Sequence, residues 1–228
     1  LSRALVAEGI EVDLPHLGGK RAATWFPISW VIYSVYLSEK IGYWRYILMD
    51  RHLKANPDQA FAPLFDFFEP WCQDENRHGD CFTVMMRCWP GITKGFRGKL
   101  LSRFFLWSVF LTHTLTVCER GEFYELLGID PKEFDEEVIK RTNHTSKNAF
   151  PWVFNLEDNK FWDLRNKIIE SFRAFVGAKG LTKPVKFVKF ATLIFKQFAL
   201  PMEKTNALRY DKDVNFTGQD ILNFWTDK

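Results

Sequence analysis

The sequence predicts an all-α fold. Apolar residues recur at helical spacing over several long segments, most clearly between Ile28 and Ile47. No strand pattern of any length and no internal repeat interrupts these segments. The chain has 228 residues, of which 46% are hydrophobic, so it can form one large helical domain or one domain with an appendage.

Two long helices are predicted in the first half of the chain. The first follows Pro27, because proline suits the first turn of a helix, and it runs to about Leu53. The second spans about 63–88, and Pro70 inside it predicts a kink or a delayed start. Residues 1–24, which include two adjacent glycines, indicate a loop-rich entry to the first helix.

Further helices are predicted after these two. A strongly apolar helix covers about 99–118, although its uncharged run is too short and too rich in threonine to predict a membrane span. Two or three more helices fit between 121 and 176, with breaks at 128–131 and near 155–159.

The composition changes from Lys179 onward. Lysines alternate with phenylalanine and aliphatic residues as far as Leu200, a pattern typical of a helix that lies in a membrane interface. A terminal helix that packs on the core and exposes a lysine-rich face would explain the same pattern. From Tyr210 the chain is polar and is expected to be loosely held.

Composition and charge exclude some classes of function. The net charge of +3 is too small to indicate a general nucleic-acid role. Aromatic residues make up 17% of the chain, which favours a large apolar pocket, a membrane-facing surface, or both. The four cysteines show no Cys-x-x-Cys spacing, so we expect reduced, buried thiols in a cytosolic compartment.

One motif in the second predicted helix is typical of metal-binding sites. Glu75 and His78 stand at i and i+3, within Asp-Glu-x-Arg-His, and therefore point to the same side of the helix. A Glu-x-x-His pair is half of the ligand set with which di-iron proteins bind metal inside a four-helix bundle. By itself the pair is weak evidence, because it is short enough to occur by chance.

Three further observations support a metal site. Glu75 and His78 interrupt an apolar face, where an unpaired charge would be costly and a metal would neutralise the carboxylate. Glu39 lies on the apolar face of the preceding helix, which can pair antiparallel with the second helix. Asp74 can hold the free N–H of a metal-bound imidazole, and Arg77 can join helices through a carboxylate.

The ligand types favour iron or manganese over a structural zinc site, since carboxylates and an imidazole are present without a thiolate. The alternative to a metal site is a buried ion-pair network that includes Glu75 and Arg77. His113, within an apolar helix, is interpreted as a core histidine.

Longer stretches around these residues resemble a known family. Residues 36–46 (YLSEKIGYWRY) and 69–80 (EPWCQDENRHGD) are closely similar to the aerobic (oxidative) magnesium-protoporphyrin IX monomethyl ester cyclases of chlorophyll and bacteriochlorophyll synthesis. The form resembled is that of purple photosynthetic bacteria. The resemblance covers most of residues 1–175 and continues at Ser102-Arg103-Phe104-Phe105, Phe123-Tyr124 and Thr142-Asn143.

This resemblance implies a ferritin-like four-helix-bundle core with additional C-terminal helices. Glu39 would be the carboxylate ligand from the third bundle helix, Glu75 the bridging carboxylate and His78 the imidazole from the fourth. The family's other ligands, a Glu on its first helix and an earlier Glu-x-x-His on its second, have no counterpart in this sequence. The chain thus offers three of six ligands, and alone it is expected to be inactive.

The resemblance also implies a division into three regions. Residues 1–120 would form the C-terminal half of the di-iron bundle, and 121–178 would add helices packed on it. Residues 179–228 would form a basic, Phe-rich membrane-interface segment and a tail. The expected location is the cytoplasmic side of the photosynthetic (intracytoplasmic) membrane, as a peripheral protein.

The implied reaction closes the isocyclic (fifth) ring of magnesium-protoporphyrin IX monomethyl ester and gives divinyl protochlorophyllide. It would use a di-iron centre, O2, and NADPH-derived electrons from a ferredoxin-like or reductase donor, with a small accessory protein in some members. Two alternatives remain open: another ferritin-like di-iron hydroxylase or desaturase, and a metal-free helical fragment that binds a pigment or a partner.

Overall fold

The computed structural model describes residues 26–205. These form seven α-helices: α1 (Ile28–Ala55), α2 (Phe68–Cys88), α3 (Gly95–Glu119), α4 (Gly121–Leu126), α5 (Pro131–Ser146), α6 (Asn159–Val176) and α7 (Thr182–Phe198). Two short strands, β1 (Trp152–Phe154) and β2 (Met202–Lys204), complete the described elements. The predicted loop at 1–24 and the polar tail from Tyr210 lie outside the described residues.

The helix boundaries follow the sequence closely. Pro27 caps the start of α1, and its carbonyl accepts the first hydrogen bond from Trp30 at 2.8 Å. The delayed start predicted from Pro70 is confirmed, because a 3-10 turn at Pro63–Phe67 precedes α2. Pro70 is then the third residue of the helix, where a backbone N–H would have no intrahelical acceptor.

The third helix begins at Gly95, earlier than the predicted start near residue 99. Glycines at 95 and 98 lower the helix propensity of this segment, so the first turn of the helix is not predicted from the sequence pattern. A Cβ atom on Gly98 would clash with the carbonyl oxygen of Thr93. Glycine is therefore required here by close backbone packing.

The first two helices run antiparallel. Near the C-terminal end of α1, Lys54 contacts Glu69 at the start of α2. Closer to the N-terminal end of α1, Glu39 contacts His78, which lies further along α2. Helix α1 also packs on α3 and α5, and its residues Tyr33 and Tyr36 are fully buried. Both tyrosine rings pack against the Phe150 ring in tilted contacts, which fills the core beside this helix pair.

A buried polar cluster joins α3, α5 and α6. His113 Nδ1 lies 2.7 Å from Asp135 Oδ1, and Thr114 donates to the other oxygen at 2.9 Å. Arg165 Nε lies 3.2 Å from the same carboxylate, and the arginine side chain is only 1% exposed. The interpretation of His113 as a core histidine is thus confirmed by its burial and its partner.

The two strands form an antiparallel pair that the sequence did not predict. Val153 and Phe154 of β1 are buried, and Trp152 lies opposite Lys204 of β2. Each strand has three residues, below the usual four to eight that give a recognisable strand pattern. The pairing fixes the chain after α7 against the core.

Helix α7 is bonded to α3 at its C-terminal end and exposes apolar side chains along one face. Arg103 of α3 donates hydrogen bonds to the carbonyl groups of Phe198 and Leu200, which satisfies acceptors at the C-terminal end of α7. Phe190 packs on Phe175 of α6 with ring centroids 6.1 Å apart. The proposed division at 1–120, 121–178 and 179–228 stays a prediction.

The expectation of four buried thiols is wrong. All four cysteines are free, but only Cys72 is buried, whereas Cys81 and Cys88 are exposed and Cys118 is half-buried. Helical geometry explains the difference on α2, since nine residues at 100° each place Cys81 about 180° around the helix from Cys72.

Among the described residues, α3 alone has the length and hydropathy of a membrane-spanning helix. It packs on α1, α5 and β1, as a core helix does.

Candidate metal centre

Three predicted ligands converge between α1 and α2. Glu39 approaches from α1, and Glu75 and His78 approach from α2. One ligand atom from each residue lies within 4.8 Å of the other two. Glu39 Oε2 is 3.2 Å from His78 Nδ1, the distance of a weak hydrogen bond. The structure therefore brings together the three residues that the sequence singled out.

A glycine on α1 faces the Glu75 carboxylate. A Cβ atom built on Gly42 would lie 3.6 Å from Glu75 Cδ and Oε2, in van der Waals contact. Gly42 stands three residues after Glu39, so one face of α1 presents first a carboxylate and then a bare backbone. The Glu75 side chain lies against that bare surface and reaches Glu39 from there.

The carboxyl groups at this site repel each other when both are ionised. Partial burial raises the pKa of Glu75 to about 7, and the hydrogen bond and charge of Glu39 add to that shift. The nearby His78 opposes it. Two facing carboxylates with an imidazole form a donor set that a hard or borderline divalent cation suits, because the cation removes the repulsion. The residues present thus fit one side of an iron site.

The three candidate ligands lie at the solvent-exposed edge of the contact between α1 and α2 rather than inside it. The Glu39 side chain is 20% exposed and that of His78 is 63% exposed. Among the described residues, the apolar face on which the sequence places His78 is thus largely exposed at that position. A spacing of three residues at 100° each leaves His78 about 60° away from Glu75 around α2, beyond the contact with α1.

Comparison with protein families supports a di-iron fold. A family model described as rubrerythrin, a ferritin-like di-iron family, matches residues 1–86. This match and the helical structure confirm the predicted all-α, ferritin-like fold class. No solved structure matches the chain.

Curated relatives share most of the sequence. A magnesium-protoporphyrin IX monomethyl ester [oxidative] cyclase from Prochlorococcus marinus (strain MIT 9211) is 72% identical over 210 residues, covering 92% of this chain. The chain is a homologue of the oxidative cyclases. A second cyclase from the same species (strain MIT 9313) is 73% identical over 210 residues, and one from Thermosynechococcus vestitus is 49% identical over 200 residues.

The relatives are longer than this cyclase homologue. The chain spans 60% of the two Prochlorococcus cyclases and 56% of the Thermosynechococcus one. These relatives are cyanobacterial, so the expected purple-bacterial form is not confirmed.

Asp74 and Arg77 occupy the outer face of α2 in this cyclase homologue. Arg77 donates to Asp74 Oδ1 at 3.1 Å, and the two side chains are 61% and 64% exposed. Within the described part of the chain they pair with each other rather than with His78 or another helix. The predicted support of the imidazole by Asp74, and of neighbouring helices by Arg77, stays a prediction.

Sequence reasoning missed a buried lysine beside the ligands. Lys40 is 2% exposed and bonds to Asp80 and Asn76 on α2. Burial lowers the pKa of Lys40, while the hydrogen bond to Asp80 and its charge oppose that change. A lysine is normally expected in solvent. The available signal was its position, since Lys40 stands between Leu37 and Ile41 on the apolar stripe of α1.

Proposed function

We propose that this chain is part of an oxygen-dependent cyclase that closes the isocyclic ring of magnesium-protoporphyrin IX monomethyl ester to give divinyl protochlorophyllide. The observation that supports it most strongly is the convergence of Glu39, Glu75 and His78 in a chain 72% identical to named oxidative cyclases. The ester is the substrate in the names of those relatives, and this chain would act on the same compound with O2.

Glu39, Glu75 and His78 would hold iron on one side of a di-iron centre. The bound iron would supply the activation of O2. Because a complete centre of this type takes six ligands, three more would come from outside the described residues. Electrons would come from NADPH through a ferredoxin-like or reductase donor, and a small accessory protein is a further candidate partner.

The protein residues have separate tasks at this site. Glu75, whose pKa is raised to about 7, would release its proton when a cation binds, so metal binding would be coupled to proton release. When His78 Nδ1 carries a proton it donates to Glu39, which holds the ring in position on an exposed helix face. The Glu75 carboxylate lies against Gly42 of α1, where a Cβ atom would be in ordinary van der Waals contact with it.

The test of this function is the replacement of Glu75 in the full-length enzyme within a chlorophyll-producing cell. Glu75→Ala is expected to stop ring closure and to cause accumulation of magnesium-protoporphyrin IX monomethyl ester, measured by pigment chromatography. Glu125→Ala, an exposed acidic residue on α4, is the matched control and should leave pigment synthesis unchanged. Normal pigment content in the Glu75→Ala cells would rule out the cyclase assignment.

We further propose that α7 binds the cytoplasmic side of the photosynthetic membrane. The supporting observation is an unpaired apolar strip on its outer face, with Leu181 93%, Val185 70%, Val188 63% and Phe195 73% exposed. At 100° per residue these four lie within about 80° of one another around the helix. Lysines flank the strip, and no Asp or Glu occurs between residues 171 and 202. Exposed apolar residues beside lysines favour an anionic lipid surface.

Vesicle flotation tests this location. The chain is expected to float with vesicles containing anionic phosphatidylglycerol and to bind less to purely zwitterionic vesicles. Val185→Asp with Val188→Asp should abolish flotation. Leu126→Asp, at a 70% exposed apolar position on α4, is the matched control and should float like the unchanged chain. Equal flotation of all variants would contradict a role of α7.

A further inference from the structure

A lysine ammonium group is buried where α1 meets α2, beside the metal ligands. Lys40 Nζ lies 2.5 Å from Asp80 Oδ1, 2.8 Å from Asn76 Oδ1 and 3.2 Å from the Asn76 carbonyl oxygen. The lysine side chain is 3% exposed and the Asp80 side chain 14%. All three acceptors belong to α2, so the three donors of one α1 residue are used on a single partner helix.

A glycine on α2 accommodates the lysine stem. A Cβ atom on Gly79 would lie 2.6 Å from Lys40 Cε and 2.7 Å from Cδ, distances that real Cβ atoms essentially never show. The stem therefore crosses α2 directly over Gly79 before it reaches Asp80. Gly42 of α1 differs, because a Cβ atom there would meet Glu75 at an ordinary van der Waals distance of 3.6 Å.

Three residues of this contact are the immediate neighbours of the ligands. Lys40 follows Glu39, Asn76 follows Glu75, and Gly79 follows His78. A helix turn rises about 5.4 Å, so sliding α1 by one turn would separate Lys40 from all of its acceptors at once. The same slide would carry Glu39 away from Glu75 and His78. Axial register and ligand placement are thus controlled by the same few residues.

Stability alone does not explain this ion pair. Burying two charges costs free energy that their attraction often fails to recover, and an apolar pair of similar volume is often as stable. The charged pair adds a directional contact. The Lys40 ammonium group can reach the Asn76 and Asp80 oxygens in only one register of α1 against α2.

We propose that Lys40, with Asn76, Gly79 and Asp80, is a positioning element that sets the register of α1 against α2 and so places Glu39 opposite Glu75 and His78. This proposal rests on the proposed function of those three residues as metal ligands. It assigns Lys40 no contact with the metal or with substrate.

The test combines two readouts on this chain. The first is a titration with Co(II) alone, followed by its visible absorption. The second uses the metal-free chain: the 15N chemical shift of His78 Nδ1, and its change when Glu39→Gln is added, report the contact between the two ligands. If Co(II) fails to bind the unchanged chain, the metal assignment fails, while the chemical shift still tests the register.

The decisive variant removes both charges and keeps the volume. Lys40→Met with Asp80→Leu is expected to lower Co(II) affinity by roughly tenfold or more, the usual effect of losing a residue that supports metal ligands. The His78 shift should then no longer respond to Glu39→Gln. Lys54→Met is the matched control, because Lys54 also links α1 to α2, at 2.6 Å from Glu69, but in solvent. It should change neither readout.

A second variant covers the case in which the double variant does not fold. Gly79→Ala adds one methyl group where the lysine stem crosses, and alanine favours the helix itself. It is expected to displace Lys40 and to change both readouts in the same direction. Wild-type affinity and a wild-type shift response in either folded variant would overturn the proposal.

Discussion

Glu75 has a titration that should be visible in the stability of the metal-free chain. Its pKa is raised from 4.5 to about 7, so the folded chain binds this proton more tightly than the unfolded chain does. The stability that the protonated carboxyl contributes is fully present below about pH 4.5 and is lost as the pH rises through 7. We therefore expect the melting temperature to fall over this interval in metal-free buffer.

Glu75→Gln should flatten that part of the pH profile, because an amide carries no charge at any of these pH values. Thermal unfolding followed by circular dichroism between pH 4 and pH 8 measures the slope. Glu125→Gln, at an exposed position, serves as the control and should keep the slope of the unchanged chain. Identical slopes for Glu75→Gln and the unchanged chain would show that Glu75 does not titrate in this range.

The three candidate ligands could be picked out in the sequence because their chemistry and spacing are local. Glu75 and His78 are three residues apart, and Glu39 lies on a periodic stripe, so neither inference needs tertiary detail. Lys40 could not be found in this way. Its burial depends on Gly79 and Asp80 of another helix, and on a register that periodicity does not specify.

A buried polar cluster around Asp135 joins α3, α5 and α6, and removing one of its charged groups should destabilise the fold. Asp135 accepts from Thr114 and lies beside His113 and Arg165, and all of these side chains are buried. Asp135→Ala would leave the Arg165 guanidinium buried without that partner. Removing one partner of a buried pair typically costs about 3–5 kcal/mol, and we expect a loss of this size in the free energy of unfolding.

Urea unfolding measures this loss as a lower midpoint. Asp74→Ala is the control, since Asp74 pairs with Arg77 in solvent and exposed pairs contribute at most about 1 kcal/mol. If the two substitutions lower the midpoint equally, the buried cluster does not hold the three helices together.

The order and approximate bounds of the helices could be predicted, because apolar periodicity and the prolines define them within the chain. The strand pair could not, since β1 and β2 have three residues each and pair across the whole of α6 and α7. This pairing depends on the tertiary fold, so no local sequence pattern predicts it. The placement of α7 was equally open, because lysines beside an apolar strip fit both a solvated and a membrane-bound face.

The described residues form one side of the candidate metal centre and cover only that side. His78 is 63% exposed, and Val84 and Met85 on the same helix are exposed apolar residues. A four-helix bundle of the di-iron type encloses its ligands, so these side chains lie where further helices would pack. The chain spans 60% of the length of its Prochlorococcus relatives.

The number of metal ions bound by this chain tests whether the described residues form only one side of the candidate centre. The described residues offer one group of three ligand atoms within 4.8 Å, enough for one divalent ion and too few for a pair. We expect one Co(II) or Fe(II) per chain after gel filtration, measured by mass spectrometry of the eluted metal together with the molar mass of the eluting species. His78→Ala should lower this ratio, and Asp163→Ala, on the exposed side of α6, should not. Two ions per monomeric chain would mean that residues outside the described range complete the centre within the same molecule.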